Sequence, residues 1–314
     1  RELERRLSAA RPKLLERRNK RVPPGLDDKT LAEWNGMMIA SLARGGAVLD
    51  EEKYVAAAAK AAAFILEKQY ENGRLLRAYR DGHTLDTAFL TDYACMIDGL
   101  LELYEATFDK RWLDHAIELN RAVVAHYYDE ERGGFFLTAD DHERLITRSK
   151  DVRDGATPSG NSVQLMNLLR LSVILGDQSL REMAEKGMDH FAAEVMQMPG
   201  AGERFLAAVE FALVGPVELA VVGDPSDANT RALLKKIHET YLPNRVLLLL
   251  NPADAANNVD SPLLQNRTLV EGHPAVYVCR NYACQRPVTT PVELKKQLDE
   301  SSAQSVVRSR RSAP

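Results

Sequence analysis

The sequence predicts a mainly α chain: half of an αα-hairpin toroid, followed by a small α/β appendage at the C-terminal end. Three observations predict it. Apolar residues recur at three- and four-residue steps over long stretches up to about residue 213. These stretches come in pairs joined by very short turns, which force antiparallel neighbours. Beyond Gly215 the pattern changes to short β-prone runs around one helix-length segment.

The first pair opens at residues 30–48, with Leu31, Trp34, Met38 and Leu42 on one face. Thr30-Leu31-Ala32-Glu33 reads as a capping box, each side chain satisfying one orphan N–H. A turn at Leu49–Asp50 leads into an Ala-rich helix through about Tyr70, stopped by Asn72-Gly73; residues 74–83 read as a loop or small hairpin. The second pair is 85–107 and 110–127, turning at Phe108-Asp109, and Gly133-Gly134 then opens a hairpin-like excursion over 135–145. The third is 158–175 and 177–196, joined at Gly176, with Thr157 as N-cap and Pro158 at the first helical position. A seventh helix spans about 202–213.

Such pairs bury their faces only by stacking on further pairs. A closed ring needs about twice as many helices, so an isolated half-ring is expected to expose an apolar seam and to self-associate. The remaining segments are strands at 217–222, 246–250 and 275–279, and helices at 226–242 and 291–298. The expected division is 1–213 for the hairpin part, with 1–22 a basic helical leader, 214–300 for the appendage, and a disordered Ser/Arg-rich tail at 301–314.

Composition excludes several classes. Residues 1–21 carry nine Lys/Arg against three Glu, a local +6 that leaves −10 on the rest of a chain whose net charge is −4. An acidic body repels phosphate backbones, and no aromatic residues interleave with the basic leader, so no nucleic-acid partner is expected. No apolar run approaches the ~20 residues of a membrane span, so no membrane is expected either. Three cysteines make no disulfide framework and suit a reducing, cytoplasmic compartment. No cofactor is implied, and the appendage lacks a dinucleotide glycine fingerprint.

In stacked hairpins the first helices of all pairs point the same way, so their N-termini gather at one rim. Polar clusters fall there: Asp27-Asp28-Lys29 with Trp34-Asn35, then Thr91-Asp92-Tyr93, then Arg148, Lys150, Asp151, Arg153 and Asp154 ahead of Ser159-Gly160-Asn161. Helix N-termini add free N–H donors and partial positive charge. Trp34 and Tyr93 could stack on a sugar ring; Asp92, Asn35 and Asn161 could bond its hydroxyls; Asp92 or Asp154 could act as acid or base. Asp28, Lys29, Arg148, Lys150 and Ser159 complete the candidate binding set. Each position also has a structural reading: caps for Asp28 and Thr157, core for Trp34 and Tyr93, and an ion-pair network for Arg148, Lys150 and Asp154.

His83 and His142 sit in rim-side loops and could titrate near neutral pH. No histidine set has metal-ligand spacing on its helix, so no metal is expected. Cys279 and Cys284 could be a redox pair or, with His273, bind a metal, or else be structural or incidental thiols; Cys95 reads as core.

The stretches Leu26-Asp27-Asp28-Lys29, Trp34-Asn35-Gly36, Thr91-Asp92-Tyr93-Ala94, Gly133-Gly134-Phe135-Phe136, the run from Arg148 through Asp154-Gly155-Ala156-Thr157-Pro158-Ser159-Gly160-Asn161, and Cys279-Arg-Asn-Tyr-Ala-Cys284-Gln-Arg-Pro287 together carry a resemblance. They resemble the C-terminal portion of the spermatogenesis-associated, thioredoxin-domain-containing protein family, whose bacterial members are often called YyaL-type proteins. The resemblance implies an (α/α)6 toroid similar to N-acylglucosamine 2-epimerases and six-hairpin glycosidases, behind an upstream thioredoxin-like domain that this chain lacks. Two functions are therefore carried forward: a carbohydrate-binding or carbohydrate-processing toroid, and a redox-accessory or scaffold module serving the thioredoxin-like domain. The epimerase-like pair of catalytic histidines has no match here.

Overall fold

The structure is a computed structural model that describes residues 1–143 and 146–311. Arg144 and Leu145, at the end of the expected excursion, and 312–314 of the expected tail lie outside the described residues.

Three helix pairs form as expected: α2 (Ala32–Leu49) with α3 (Glu52–Lys68), α4 (Leu90–Thr107) with α5 (Lys110–Tyr127), and α6 (Gly160–Leu175) with α7 (Gln178–Gln197). They follow α1 (Glu2–Asn19), which buries no residue. The three tight turns share one device. Asp50, Phe108 and Gly176 each end the first helix in the left-handed conformation, donating back to the preceding turn, and the next helix starts two residues on. Asp109 and Asp177 then cap α5 and α7 through their carboxylates.

The first helices of the pairs form the inner layer. α6 buries every residue from Gly160 to Ile174, as a helix covered on all sides must. α2 and α4 meet backbone to backbone: a Cβ on Gly36 would lie 2.5 Å from the Cys95 carbonyl, and one on Gly99 would lie 2.6 Å from the Gly36 oxygen. α8 (Glu203–Val214) packs on α6 as the fourth inner helix.

At the rim, the loops pair into a small antiparallel sheet. Its order is β1 (Thr30–Leu31), β3 (Arg74–Arg80), β2 (Tyr70–Glu71), with β4 (His83–Thr87) also on β3. Pairing of Thr30 and Leu31 with Tyr79 and Ala78 removes the expected capping box. Thr30 is extended strand, and α2 has no side-chain cap of its own.

The C-terminal unit has sheet order β6 (Arg245–Leu250), β5 (Val217–Val222), β7 (Ala275–Arg280), β8 (Ala283–Cys284). β5 and β6 are parallel and joined through α9 (Ala228–Glu239); β7 is antiparallel to β5. This unit covers the turn end of every hairpin. Lys235 pairs with Asp50 at 2.7 Å, Asn257 donates to the Phe108 carbonyl at 3.1 Å, and Pro262 packs against Gly176. One hydrophobic cluster runs through both parts. The last helix, α10 (Pro291–Arg311), continues beyond the expected end at Leu298, into the segment read as a disordered tail. No glycine or proline occurs between 292 and 311 to stop it. Among the described residues no helix is long and apolar enough to cross a membrane.

Candidate functional site

The rim residues do converge, but mostly on backbone. Asp92, 1% exposed, accepts from the N–H of Phe89 at 2.9 Å and of Glu33 at 3.1 Å, and pairs with Arg77 at 3.2 Å. One carboxylate thus serves the N-termini of two helices, α4 and α2. Burial pushes it up to about 6, although those N–H groups and Arg77 pull the other way. Tyr93 points into the core and its hydroxyl accepts from the Leu75 N–H at 2.8 Å, so it offers no ring face to a sugar. Trp34 is 61% exposed, and Asn35 donates to the Leu31 carbonyl at 2.8 Å. The expected two-ring platform therefore does not form. Alternate faces of two different helices carry the rings, one inward and one outward.

The third cluster is a clasp. Asn161 is 1% exposed; its amide donates to the carbonyls of Phe135 and Asp151 at 2.9 Å, and its oxygen accepts from the Phe135 N–H at 2.8 Å. Ser159 donates to the Asp151 carbonyl at 2.8 Å, and Asp154 accepts from the N–H of Ser159 at 2.9 Å and of Arg204 at 2.8 Å. Lys150 pairs with Asp129 at 2.7 Å, and Arg148 donates to the carbonyls of Thr138 and His126 while lying over the Phe136 ring. Asp28 pairs with Arg80 at 2.7 Å and Lys29 with Asp27 at 3.4 Å.

Cys279 and Cys284 are disulfide-bonded, not free thiols. They face each other in register across β7 and β8, whose turn residues Asn281 and Tyr282 both have positive φ, as a tight two-residue hairpin requires. Arg267 donates to the Cys284 sulfur at 2.9 Å. Cys95 is free and buried, and burial pushes its thiol up. His126, Asp140 and Asp141 lie close enough together to share an ion, but Arg74 already grips Asp141 with both terminal nitrogens.

The cavity sequence reading missed lies between the inner helices and the C-terminal unit. It is about 580 Å³, with Arg44, Asp98, Glu102, Glu105, Arg170, Arg204 and Phe211 from the inner helices on one side and Tyr241 and Arg245 from the C-terminal unit on the other. Asp98, Glu102 and Glu105 are four and three residues apart, which puts them on one face of α4. Arg170, from α6, reaches all three, at 3.3, 2.9 and 3.0 Å. Arg44 from α2 grips Glu102 through two nitrogens at 2.6 and 2.9 Å, Arg245 meets Glu105 at 3.2 Å, and Arg204 from α8 meets Asp98 at 3.3 Å. Burial raises Glu102, but Arg170, Arg44 and Arg245 outweigh it and hold the carboxyl well below its usual range. Burial and then the Arg245 charge push His238 down to about 3. Its Nδ1 lies 3.3 Å from an Arg245 nitrogen, which can only donate, so the ring accepts there as a neutral imidazole. The legible signal was the acidic spacing on α4 together with Arg44 and Arg170 at inner-layer positions.

Fold and cavity define the class: an αα-hairpin protein of partial-toroid architecture with a charged, ligand-sized cavity on its inner face. No family model matches the chain. By sequence, however, it is 34% identical over 307 residues to spermatogenesis-associated protein 20 of Rattus norvegicus, and 33% over 305 residues to that of Homo sapiens. These alignments cover 94% and 93% of this chain and 39% of each relative. The chain belongs to the spermatogenesis-associated protein 20 family and spans about two fifths of those relatives' length. Among solved structures, it is similar to a GH76 α-mannanase of Bacteroides thetaiotaomicron (TM-score 0.49, 15% identity, 92% of this chain and 72% of that one). It is also similar to cellobiose 2-epimerase of Spirochaeta thermophila (TM-score 0.44, 16% identity, 52% and 43%). Likeness at this level carries nothing about chemistry.

Proposed function

We propose that this chain is the carbohydrate-binding or carbohydrate-processing section of a larger protein, and that the sugar-like ligand sits in the charged cavity. The cavity carries the reading. It offers donors from four arginines, a partly open carboxylate at Asp98, and aromatic side chains at Phe211 and Tyr241, the mixture a polyhydroxylated ring needs. Asp92, Asp154 and the residues around them hold the helix ends and rim loops that shape the same inner face. A cytoplasmic location goes with this reading.

The test is a thermal-shift series on the complete polypeptide with mono- and disaccharides. A ligand at 100 times its Kd adds about 2.7 kcal/mol to the native state, a visible rise in Tm. The expected result is a shift that Asp98→Asn and Tyr241→Ala each reduce. No shift across the series sinks the proposal.

One observation favours a second reading, a redox-accessory module working with an upstream thioredoxin-like domain. Cys279 is buried, Cys284 is half-buried, and Arg267 sets a positive charge against the accessible sulfur. An incoming thiolate would attack Cys284 and expel Cys279 as thiolate; a second thiol of the same dithiol then resolves the mixed disulfide, leaving this pair reduced and the dithiol oxidised. Equilibration against glutathione buffers followed by alkylation and mass spectrometry checks it. A pair whose state does not change across the buffers removes the redox component.

A further inference from the structure

The charged cavity is asymmetric in depth. Glu102 and Glu105 are 3% and 4% exposed, whereas Arg44 and Arg204 are 59% and 30% exposed. The acids are also the more fully used. Glu102 takes Arg44 and Arg170 on one oxygen and Arg44 again on the other, and Glu105 takes Arg170 and Arg245 on separate oxygens. The arginines keep donors in hand. Arg204 engages Asp98 through one terminal nitrogen at 3.3 Å, Arg44 uses two of its three nitrogens, and the Nε of buried Arg170 has no partner. Asp98, 21% exposed, and the exposed Glu210 on α8 are the acids a ligand would still face.

We infer that the ligand of this cavity bears an oxyanion, a carboxylate or a phosphate ester, which docks on the spare N–H groups of Arg44 and Arg204. A guanidinium fork matches the two oxygens of such a group in one plane and stays charged at any physiological pH. A neutral polyol would leave these donors to water. This rests on the reading of the cavity as a ligand site and narrows its ligand from sugars in general to acidic or phosphorylated ones.

The test compares glucose, glucuronate, glucose 6-phosphate and inorganic phosphate by calorimetric titration of the complete polypeptide at low and at physiological salt. The expected result is at least tenfold tighter binding of one of the acidic sugars than of glucose, weakening with salt, and lost in Arg44→Gln/Arg204→Gln. Which acid binds tells a uronate site from a phosphate site. Glucose binding as tightly as both acidic sugars overturns the oxyanion inference and leaves the carbohydrate reading standing. Phosphate binding as tightly as glucose 6-phosphate keeps the oxyanion and overturns the sugar. Binding of none overturns both. If the double variant melts well below the parent, Arg204→Gln alone decides, because its side chain makes only the 3.3 Å contact with Asp98. Retention of the preference in that variant overturns the assignment to Arg204.

Discussion

Asp92 shows how one side chain can look like a catalyst in sequence and act as a fastener in space. Its carboxylate replaces the missing caps of α2 and α4 at once. Because burial raises it from an ordinary 3.8 to about 6, the folded chain keeps a proton there that the unfolded chain releases. Its contribution is full below pH 4 and declines as pH rises to 6, by about 1.4 kcal/mol per pH unit. Asp92→Asn should remove that slope from the variant, so that in urea denaturation the stability difference between parent and variant changes from pH 4 to 6 and levels off by pH 7. The lost acceptor should cost about 1–3 kcal/mol at neutral pH. An unchanged slope would show that Asp92 titrates normally.

At the scale of elements, α4 is the hub. One face meets α2 at glycine-to-backbone distance, another carries the three carboxylates, and its N-terminus ties the rim. Arg170 from α6 reaches all of them and, with Arg44 and Arg245, holds Glu102 below its usual range. Replacing one partner of a buried cluster leaves the rest unpaired, so Arg170→Met should destabilise by about 3–5 kcal/mol, read as a fall in the urea midpoint. A loss below about 1 kcal/mol would mean that Arg44, Arg204 and Arg245 suffice to compensate the acids.

For the whole molecule, the turn end of the stack is covered by the C-terminal unit but one side of the stack is not. Trp34, Met38 and Val48 lie along a single stripe of α2 and are each 44–61% exposed. A stripe of that kind is costly in water, and the chain spans about two fifths of its curated relatives. The isolated chain should therefore self-associate in sedimentation, and Trp34→Ser/Met38→Ser should shift it toward monomer. A monomer in the unmodified chain would mean that the stripe tolerates water as it stands.

The helix pairs and their turns were legible because local chemistry writes them. Three-residue steps, a tight turn and a following Asp at 109 or 177 depend on neighbours in sequence. The rim was legible in place but not in role. Nothing within a few residues of Asp92 says that its partners are Phe89, Glu33 and Arg77 at once, or that Tyr93 turns inward beside it. The cavity was hidden further, since Arg44, Asp98, Arg170, Arg204 and Arg245 come from five separate elements whose approach only packing decides. The same holds for the disulfide, which needs the β7–β8 register to bring Cys279 opposite Cys284. By itself, then, the sequence determined the periodic elements and the direction of the hairpins. The tertiary structure alone decided which charges meet, because desolvation and Coulomb attraction act through space and follow no spacing along the chain.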